Sequence, residues 1–80
     1  MAGFRIRIGA DAKKDFESLP HPFRRHINRK IHFLKEEPRP KGSEPLGYGR
    51  FLLTAPPYRL LYAVDEAEAV VTIVAIVKLT

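Results

Sequence analysis

The spacing of apolar residues changes near the middle of this 80-residue chain, and the change limits the folds that it can adopt. Before the proline- and glycine-rich segment 38–49, apolar residues recur every three or four positions, as on one face of an α-helix. After that segment, short runs of apolar and β-branched residues alternate with brief turns, which is typical of β-strands. This order predicts helices near the start and an antiparallel sheet near the end, in one small domain over residues 1–80.

The first half of the chain predicts one strand and two helices. Residues 4–8 alternate apolar and basic side chains, as a half-buried strand does. A first helix is expected over residues 12–18, with Asp11 as its N-cap. The second helix has Pro22 in its first turn and ends before Pro38, because a residue that precedes a proline avoids the helical region. A tight corner that contains proline joins the two helices into an αα-hairpin.

The second half of the chain predicts a loop followed by three strands. Residues 38–49 contain three prolines and three glycines and are expected to form the loop. Strands are expected over residues 50–54, 58–64 and 69–77, joined by short turns into an antiparallel meander. The last strand is apolar on both faces, which predicts a central position or cover on both sides. The expected fold is therefore α+β, with the order β-α-α-β-β-β and the N-terminal helical hairpin packed on one face of an antiparallel-rich sheet.

The chain is basic, with a net charge of +5, and many of its cations lie between residues 23 and 41. A basic surface favours a polyanion such as RNA, DNA or an acidic protein. The same run of charges fits an ordinary solvated helix face, and charge alone does not decide between the two. The absence of cysteine excludes disulfides and thiolate metal sites, and it favours the cytoplasm. Because no apolar run has the length of a signal peptide or a membrane span, we expect no membrane association.

The three histidines do not form a pattern that binds metal. His26 and His32 are six residues apart on the second helix and do not share a face, and His21 lies in the corner. We interpret all three as surface or capping residues, and we expect no metal and no cofactor. The sequence also shows no signature of a recognition helix, a zinc site or an aromatic platform, so a plain nucleic-acid-binding module is the least favoured class.

Four stretches, in this order and spacing, resemble the RelE/ParE toxin superfamily across essentially the whole chain. They are residues 6–16, with the pattern Ala-x-Lys-Asp before an apolar residue; residues 19–20 with 29–40; residues 41–47; and residues 58–65, with the pattern Tyr-Arg-(two apolar)-Tyr. The resemblance implies a toxin held inactive by an antitoxin. Toxins of the RelE and YoeB branches enter the ribosomal A site and cut mRNA, whereas toxins of the ParE branch poison DNA gyrase and are not nucleases.

Metal-independent RNA cleavage needs a base, cations that stabilise the phosphate, and an acid for the leaving oxygen. Arg59 matches the phosphate-binding arginine of the family's Tyr-Arg motif, and its planar fork suits phosphate oxygens. Its place in the middle of an apolar strand, where an idle charge is costly, favours the same role. The alternative is a structural ion pair with Glu44 or Asp65.

The remaining candidates also come from the resemblance. Glu44 lies in a Glu-Pro-Leu segment similar to that of YoeB-type toxins, which implies a general base; an ordinary loop carboxylate is the equal alternative. Arg50 occupies the position of a catalytic lysine in RelE-type toxins, and Leu52 replaces a second lysine. Arg50 also fits a solvated charge at a strand edge. The further candidate phosphate contacts are Lys78, Arg25, Arg29 and Lys41.

The last residues of the sequence depart from the family pattern. RelE-type toxins continue after the last strand with an arginine and a tyrosine, and YoeB-type toxins end in His-Tyr. Here the corresponding residues are Val77-Lys78-Leu79-Thr80, which supply a positive charge and no acid of that kind. We therefore keep three hypotheses: an mRNA interferase, a ParE-like gyrase poison, and an inactive remnant. All three imply an antitoxin partner, and the first also implies mRNA and the ribosome.

Overall fold

The computed structural model describes residues 3–79 and has two helices packed on a five-stranded sheet within that part of the chain. In chain order the elements are β1 (Arg5–Ile8), α1 (Ala10–Glu17), α2 (His21–Phe33), β2 (Ser43–Gly47), β3 (Arg50–Ala55), β4 (Tyr58–Asp65) and β5 (Val70–Lys78). The expected α+β class is confirmed. None of the helices in residues 3–79 has the length and apolar surface needed to cross a membrane.

The strands lie side by side in the order β1-β5-β4-β3-β2. β1 is parallel to β5, with Arg5 paired to Val70, and every other neighbouring pair is antiparallel. The last strand of the sequence therefore lies inside the sheet, between β1 and β4. Its central position confirms the prediction made from its two apolar faces.

The predicted loop 38–49 is wrong over part of its length, because it contains β2 (Ser43–Gly47). This strand is at the edge of the sheet and pairs with β3 alone, and its register shifts between Pro45 and Gly47. Proline and glycine weaken a strand, and proline is tolerated at an edge where one side of the backbone has no neighbour. The sheet thus has five strands rather than four, and Glu44 lies on a strand rather than in a loop.

The predicted start of the first helix is also wrong. The helix begins at Ala10 with Gly9 as its N-cap, and no side chain caps it, so Asp11 lies in the first turn. The Gly9 N–H donates to the Ile73 carbonyl at 2.9 Å, and a Cβ at Gly9 would lie only 3.1 Å from that oxygen. This close approach lets the helix begin as soon as β1 ends. The second helix has Pro22 in its first turn and ends before Pro38, as expected.

The hydrophobic core lies between the helices and one face of the sheet. Alternate residues of β4, namely Tyr58, Leu60 and Tyr62, are buried there. The two helices contribute residues of their own, among them Ala12 from α1 and Ile27 from α2. Because side chains alternate along a strand, the residues between these positions point to the other face.

A carboxylate in α1 fastens that helix to the central strand. Asp15 accepts a hydrogen bond from the backbone N–H of Ile76 at 3.0 Å. The bond lies just beyond a bulge, where the pairing of β4 with β5 passes from Leu61 to Tyr62 on one strand and skips Val74 on the other. The aspartate of the Ala-x-Lys-Asp pattern thus satisfies a backbone donor that β1 is too short to reach.

A second buried contact fixes the segment that leaves α2. The Tyr62 hydroxyl donates to the Pro38 carbonyl at 2.8 Å, and the Tyr62 ring stacks on Phe51 with 5.7 Å between centroids. Arg39 lies over the Phe51 ring and pairs with Glu66. Burial raises the pKa of Tyr62 above its ordinary value, while the nearby Ser43 hydroxyl and the Arg39 charge oppose that shift.

Candidate functional site

The sheet face opposite the helices, called here the open face, carries the sequence-predicted residues Glu44, Arg50 and Arg59. Its members are the alternate strand residues that point away from the core. Across the strands they are Arg5 and Arg7 of β1; Glu44 of β2; Arg50, Leu52 and Thr54 of β3; Arg59, Leu61, Ala63 and Asp65 of β4; and Val70, Thr72, Ala75 and Val77 of β5. These residues belong to all five strands, so the face is as wide as the sheet.

Arg59 is exposed on the open face, although Tyr58 and Leu60 on either side of it are buried. The premise that its charge is costly in an apolar strand is therefore wrong, because alternation sends the guanidinium to solvent. Within residues 3–79, Arg59 also does not form the structural ion pair that was its alternative role. Among residues 3–79 the single ion pair is Arg39–Glu66, so Arg59 pairs with neither suggested carboxylate. Its five N–H donors remain available to an external anion.

Glu44 and Arg50 lie on neighbouring strands of the same face. Glu44 pairs with Leu52, two residues from Arg50 along β3, which places the two Cα atoms about 8 Å apart. Thr54 pairs with Arg59, so Arg50 and Arg59 are four residues apart along the sheet, about 13 Å, and one strand apart across it. All three side chains are exposed. The arrangement suits an extended polyanion better than a single small anion.

The centre of the open face is apolar. Leu52, Leu61 and Ala75 occupy one row across β3, β4 and β5, between the levels of Arg50 and Arg59. Val77 continues this surface on β5 and is 53% exposed. The face is thus a basic frame around an apolar middle.

Two arginines that sequence reasoning did not select complete this frame. Arg7 pairs with Thr72, which pairs with Ala63, which pairs with Arg50, so Arg7 and Arg50 end one row across four strands. Arg5 and Arg7 line a shallow depression of about 460 Å³ together with Asp65 and Glu68. The alternation in residues 4–8 already placed Arg5 and Arg7 on one face, but the sequence did not reveal that β1 lies beside β5.

The other predicted phosphate contacts lie elsewhere. Lys78 pairs with the buried Tyr58, which places it on the helix-covered side at the end of β5. Arg25 and Arg29 are exposed on α2, and Lys41 is exposed between α2 and β2. The structure therefore brings Arg59, Glu44 and Arg50 together on one face and does not add Lys78, Arg25, Arg29 or Lys41 to that face.

The outer surface of α2 is a second basic region. The helix has no acidic residue in its first turn, where a negative charge would complement the helix dipole, and Arg24 lies in that part of the helix instead. Arg25 and Arg29 are one helical turn apart and line one depression with Asn28 and His32. The absence of an acidic residue from the first turn leaves the exposed surface of α2 basic and suited to a polyanion.

Comparison with known proteins agrees with this architecture. A family model described as ParE toxin of type II toxin-antitoxin system, parDE, matches residues 6–78. The RelBE2 toxin–antitoxin complex of Mycobacterium tuberculosis is similar, with 26% identity, 98% of this chain and 93% of that chain covered, and a TM-score of 0.84. The isolated E. coli RelE toxin shares 21% identity over 96% of this chain and 85% of that chain, with a TM-score of 0.86.

An archaeal RelE–RelB complex from Pyrococcus horikoshii has the same fold, with 21% identity, 94% and 93% of the two chains covered, and a TM-score of 0.82. No curated protein sequence matches the chain significantly. The expected RelE-like fold is confirmed.

Proposed function

This chain belongs to the ParE toxin family of type II toxin–antitoxin systems, and from this premise we propose that it is a cytoplasmic toxin that cuts mRNA in the ribosomal A site. The observation that carries the proposal is the shared open face: Arg59, Arg50 and Glu44 are exposed on neighbouring strands, and neither arginine is neutralised by an ion pair within residues 3–79. An RNA strand that crosses this face meets two cations and a carboxylate.

Each residue has a definite role in the proposed reaction. Arg59 holds the scissile phosphate with its planar fork and stabilises the charge that develops there. Glu44 takes the proton from the 2′-hydroxyl, and Arg50 neutralises a neighbouring phosphate. The described part of the open face carries no histidine or tyrosine that protonates the leaving oxygen. We therefore expect slow cleavage, with water or a ribosomal group as the proton donor.

The test is cleavage of a defined mRNA on programmed ribosomes, with mapping of the new 5′ ends. Arg59→Ala is expected to abolish A-site cleavage, and Glu44→Gln to slow it by about 10²–10⁴-fold. Thr54→Ala is the matched control, because Thr54 is exposed beside Arg59 in the same row. Exposed substitutions of this kind change stability by about 0.5 kcal/mol or less, so the variants should remain folded. Cleavage that survives Arg59→Ala would refute the assigned role.

The basic surface of α2 assists by docking on ribosomal RNA. Arg25 and Arg29 are exposed on the helix layer, which lies on the other side of the sheet from Arg59. Binding to ribosomes is expected to weaken as salt rises, because phosphate contacts release counterions. Replacing both arginines by glutamine should flatten that salt dependence, and an unchanged slope would exclude α2 from the ribosome contact.

An antitoxin is the second partner that we propose. Solved relatives include RelE toxins in complexes with RelB antitoxins. On this chain, an acidic antitoxin segment that covers Arg50 and Arg59 would neutralise the frame and block RNA. Arg50→Glu and Arg59→Glu should each weaken the complex, measured by calorimetry with the co-encoded antitoxin. A complex that tolerates both reversals would place the antitoxin elsewhere.

A second candidate function is a ParE-like poison that binds DNA gyrase. The row Leu52–Leu61–Ala75 favours it, because an apolar centre suits a protein surface better than a phosphate backbone. Growth arrest without ribosomal cleavage, together with inhibition of DNA supercoiling by purified gyrase, would support this function. If the protein causes no growth arrest and no ribosomal cleavage, it is an inactive remnant.

A further inference from the structure

Among the large apolar and aromatic residues within residues 3–79, Tyr48 is the most exposed, with 97% of its surface accessible to solvent. It lies at the tip of the hairpin between β2 and β3, where Gly47 pairs with Arg50 and only Tyr48 and Gly49 form the turn. The other two tyrosines, Tyr58 and Tyr62, are buried in the core. Since almost nothing among residues 3–79 covers the Tyr48 ring, we expect the ring to contribute little to folding.

The backbone at Tyr48 is strained. Its φ is 55°, and that of Gly49 is 74°, as in a type I′ turn with both central residues in the left-handed region. Asparagine, aspartate or glycine normally fills the first of these positions, and a bulky residue there is an outlier. Ala69, in the turn between β4 and β5, is the other described non-glycine residue with positive φ, at 54°. Strain of this kind tends to occur at functional sites.

The turn is held rigidly at the edge of the basic frame. The Gly49 carbonyl accepts a hydrogen bond from the Val64 N–H at 2.8 Å, and a Cβ on Gly49 would lie 3.1 Å from the Val64 carbonyl. Arg50 follows directly and points to the open face. The hairpin therefore presents an aromatic ring and a guanidinium two residues apart, both exposed and on a fixed backbone.

We propose that Tyr48 is a base-stacking platform for the RNA strand whose phosphate Arg50 holds. This inference rests on the proposed function and adds a contact outside its chemistry: Tyr48 positions the strand and touches no reacting atom. A tyrosine face stacks on any base, and the adjoining cation neutralises the phosphate of the same or the next nucleotide. Both faces of the ring are available for this purpose, because residues 3–79 contain no stacking partner for it and the side chain is almost fully exposed.

The acidic turn at the same end of the sheet does not prevent this contact. Glu66 is paired with Arg39, and the Asp65 carboxylate accepts a hydrogen bond from the Glu68 N–H at 3.1 Å. Arg5 and Arg7 lie beside Asp65 and Glu68 in the depression of the open face. The negative charges at this end therefore have basic neighbours, whereas Arg50 beside the tyrosine has no ion-pair partner within residues 3–79.

The experiment uses ribosomes programmed with an mRNA that carries 2-aminopurine in the A-site codon, because stacking on an aromatic ring quenches its fluorescence. We expect quenching by the wild-type protein and by Tyr48→Phe. Tyr48→Leu and Tyr48→Gly should lose the quenching and bind about tenfold more weakly. Ala69→Gly is the matched control, because it relieves the same backbone strain without changing the hairpin, and it should quench fully.

The two glycine variants separate a contact with RNA from a structural role. Both should unfold at the same or a higher temperature than the wild type, since glycine adopts positive φ freely; only Tyr48→Gly should lose RNA contact. Equal quenching by wild type and Tyr48→Leu, or no quenching by the wild type, would overturn the inference whatever the cleavage result. Quenching that depends on Tyr48 without any cleavage would uphold the platform and refute the nuclease. Unchanged quenching in Tyr48→Leu with loss of growth arrest would instead place Tyr48 in a protein interface.

Discussion

The two faces of the sheet are built from alternate residues of the same strands, yet one face packs against the helices and the other is open to solvent. Along β4, Tyr58, Leu60 and Tyr62 are buried against the helices, and Arg59 between them is exposed. The Tyr-Arg motif is therefore two patterns interleaved, in which the tyrosines build the core and the arginine serves the open face. Because successive residues of a strand point to opposite faces, the residues of a motif on a strand should be assigned to their faces before they are given a common role.

The sharpest test of this difference substitutes two neighbouring leucines. Leu60 is fully buried, whereas Leu61 is half-buried on the open face. Leu60→Ala should lower the free energy of unfolding by about 2–5 kcal/mol, because it leaves a cavity in the core. Leu61→Ala should cost about 1 kcal/mol. Urea unfolding measures both, and equal costs would mean that the open face is covered by structure of its own.

The carboxylate of Asp15 should matter more than an ordinary surface charge. Asp15→Ala removes the acceptor of the Ile76 N–H, which is part-buried, and should cost about 1–3 kcal/mol. Asp15→Asn keeps an acceptor oxygen and should cost less, so it serves as the control. Hydrogen exchange at the Ile76 amide should accelerate in Asp15→Ala, and a protected amide would show that the bond does not hold the central strand.

Tyr62, on the helix-covered face, should make the folded protein less stable at alkaline pH. Its pKa is raised by burial above the ordinary 10.0, so as pH rises the unfolded chain ionises before the folded one. The contribution of Tyr62 to stability is therefore complete below pH 10.0 and is lost as pH rises towards the folded-state pKa.

Tyr62→Phe should remove this alkaline loss and cost about 1–3 kcal/mol at neutral pH, because the Pro38 carbonyl loses its partner. Thermal unfolding across the alkaline range measures the effect. Tyr48→Phe is the control, since the ring of Tyr48 is exposed whether or not the chain is folded. An unchanged alkaline profile in Tyr62→Phe would show that other groups set it.

The smallest expected effect concerns Arg39 and Glu66. Their side chains are 47% and 58% exposed, so solvent screens the pair, and a double-mutant cycle should give a coupling of about 0.2–1 kcal/mol. The coupling should decrease in high salt. Glu68→Ala, in the same turn, should show no coupling to Arg39. A larger, salt-resistant value would indicate that the pair is shielded from water.

Much of this fold could be predicted because its elements have regular patterns. The helical spacing of Phe23, Ile27, Ile31 and Leu34 identifies α2, and the apolar run of β5 identifies that strand and predicts its central position. The edge strand β2 was missed because Pro45 and Gly47 are poor strand residues, and only its pairing with β3 orders them. The N-cap at Gly9 was missed because it depends on a tertiary contact with Ile73.

The candidate site was predictable in part. The resemblance selected Arg59, Glu44 and Arg50, and the structure places these three on one face. Arg7 could not be selected, because its row with Arg50 exists only through the pairing of β1 with β5. Tyr48 had one sequence cue, its position between Gly47 and Gly49, which marks a tight turn but does not reveal how fully the turn exposes the ring.

The pairing of β1 with β5 also sets an order of events during synthesis. Arg5 pairs with Val70 only after the 64 residues between them have been made, and residues so far apart in sequence find one another slowly. Until β5 pairs with β1 and β4, no strand connects β1 to the rest of the sheet, and Arg7 and Arg50 do not share a surface. A nascent chain whose last strand has not emerged therefore carries Glu44, Arg50 and Arg59 but lacks the row across four strands that joins Arg7 to Arg50. We therefore expect the row that joins Arg7 to Arg50 to form only after β5 has been made.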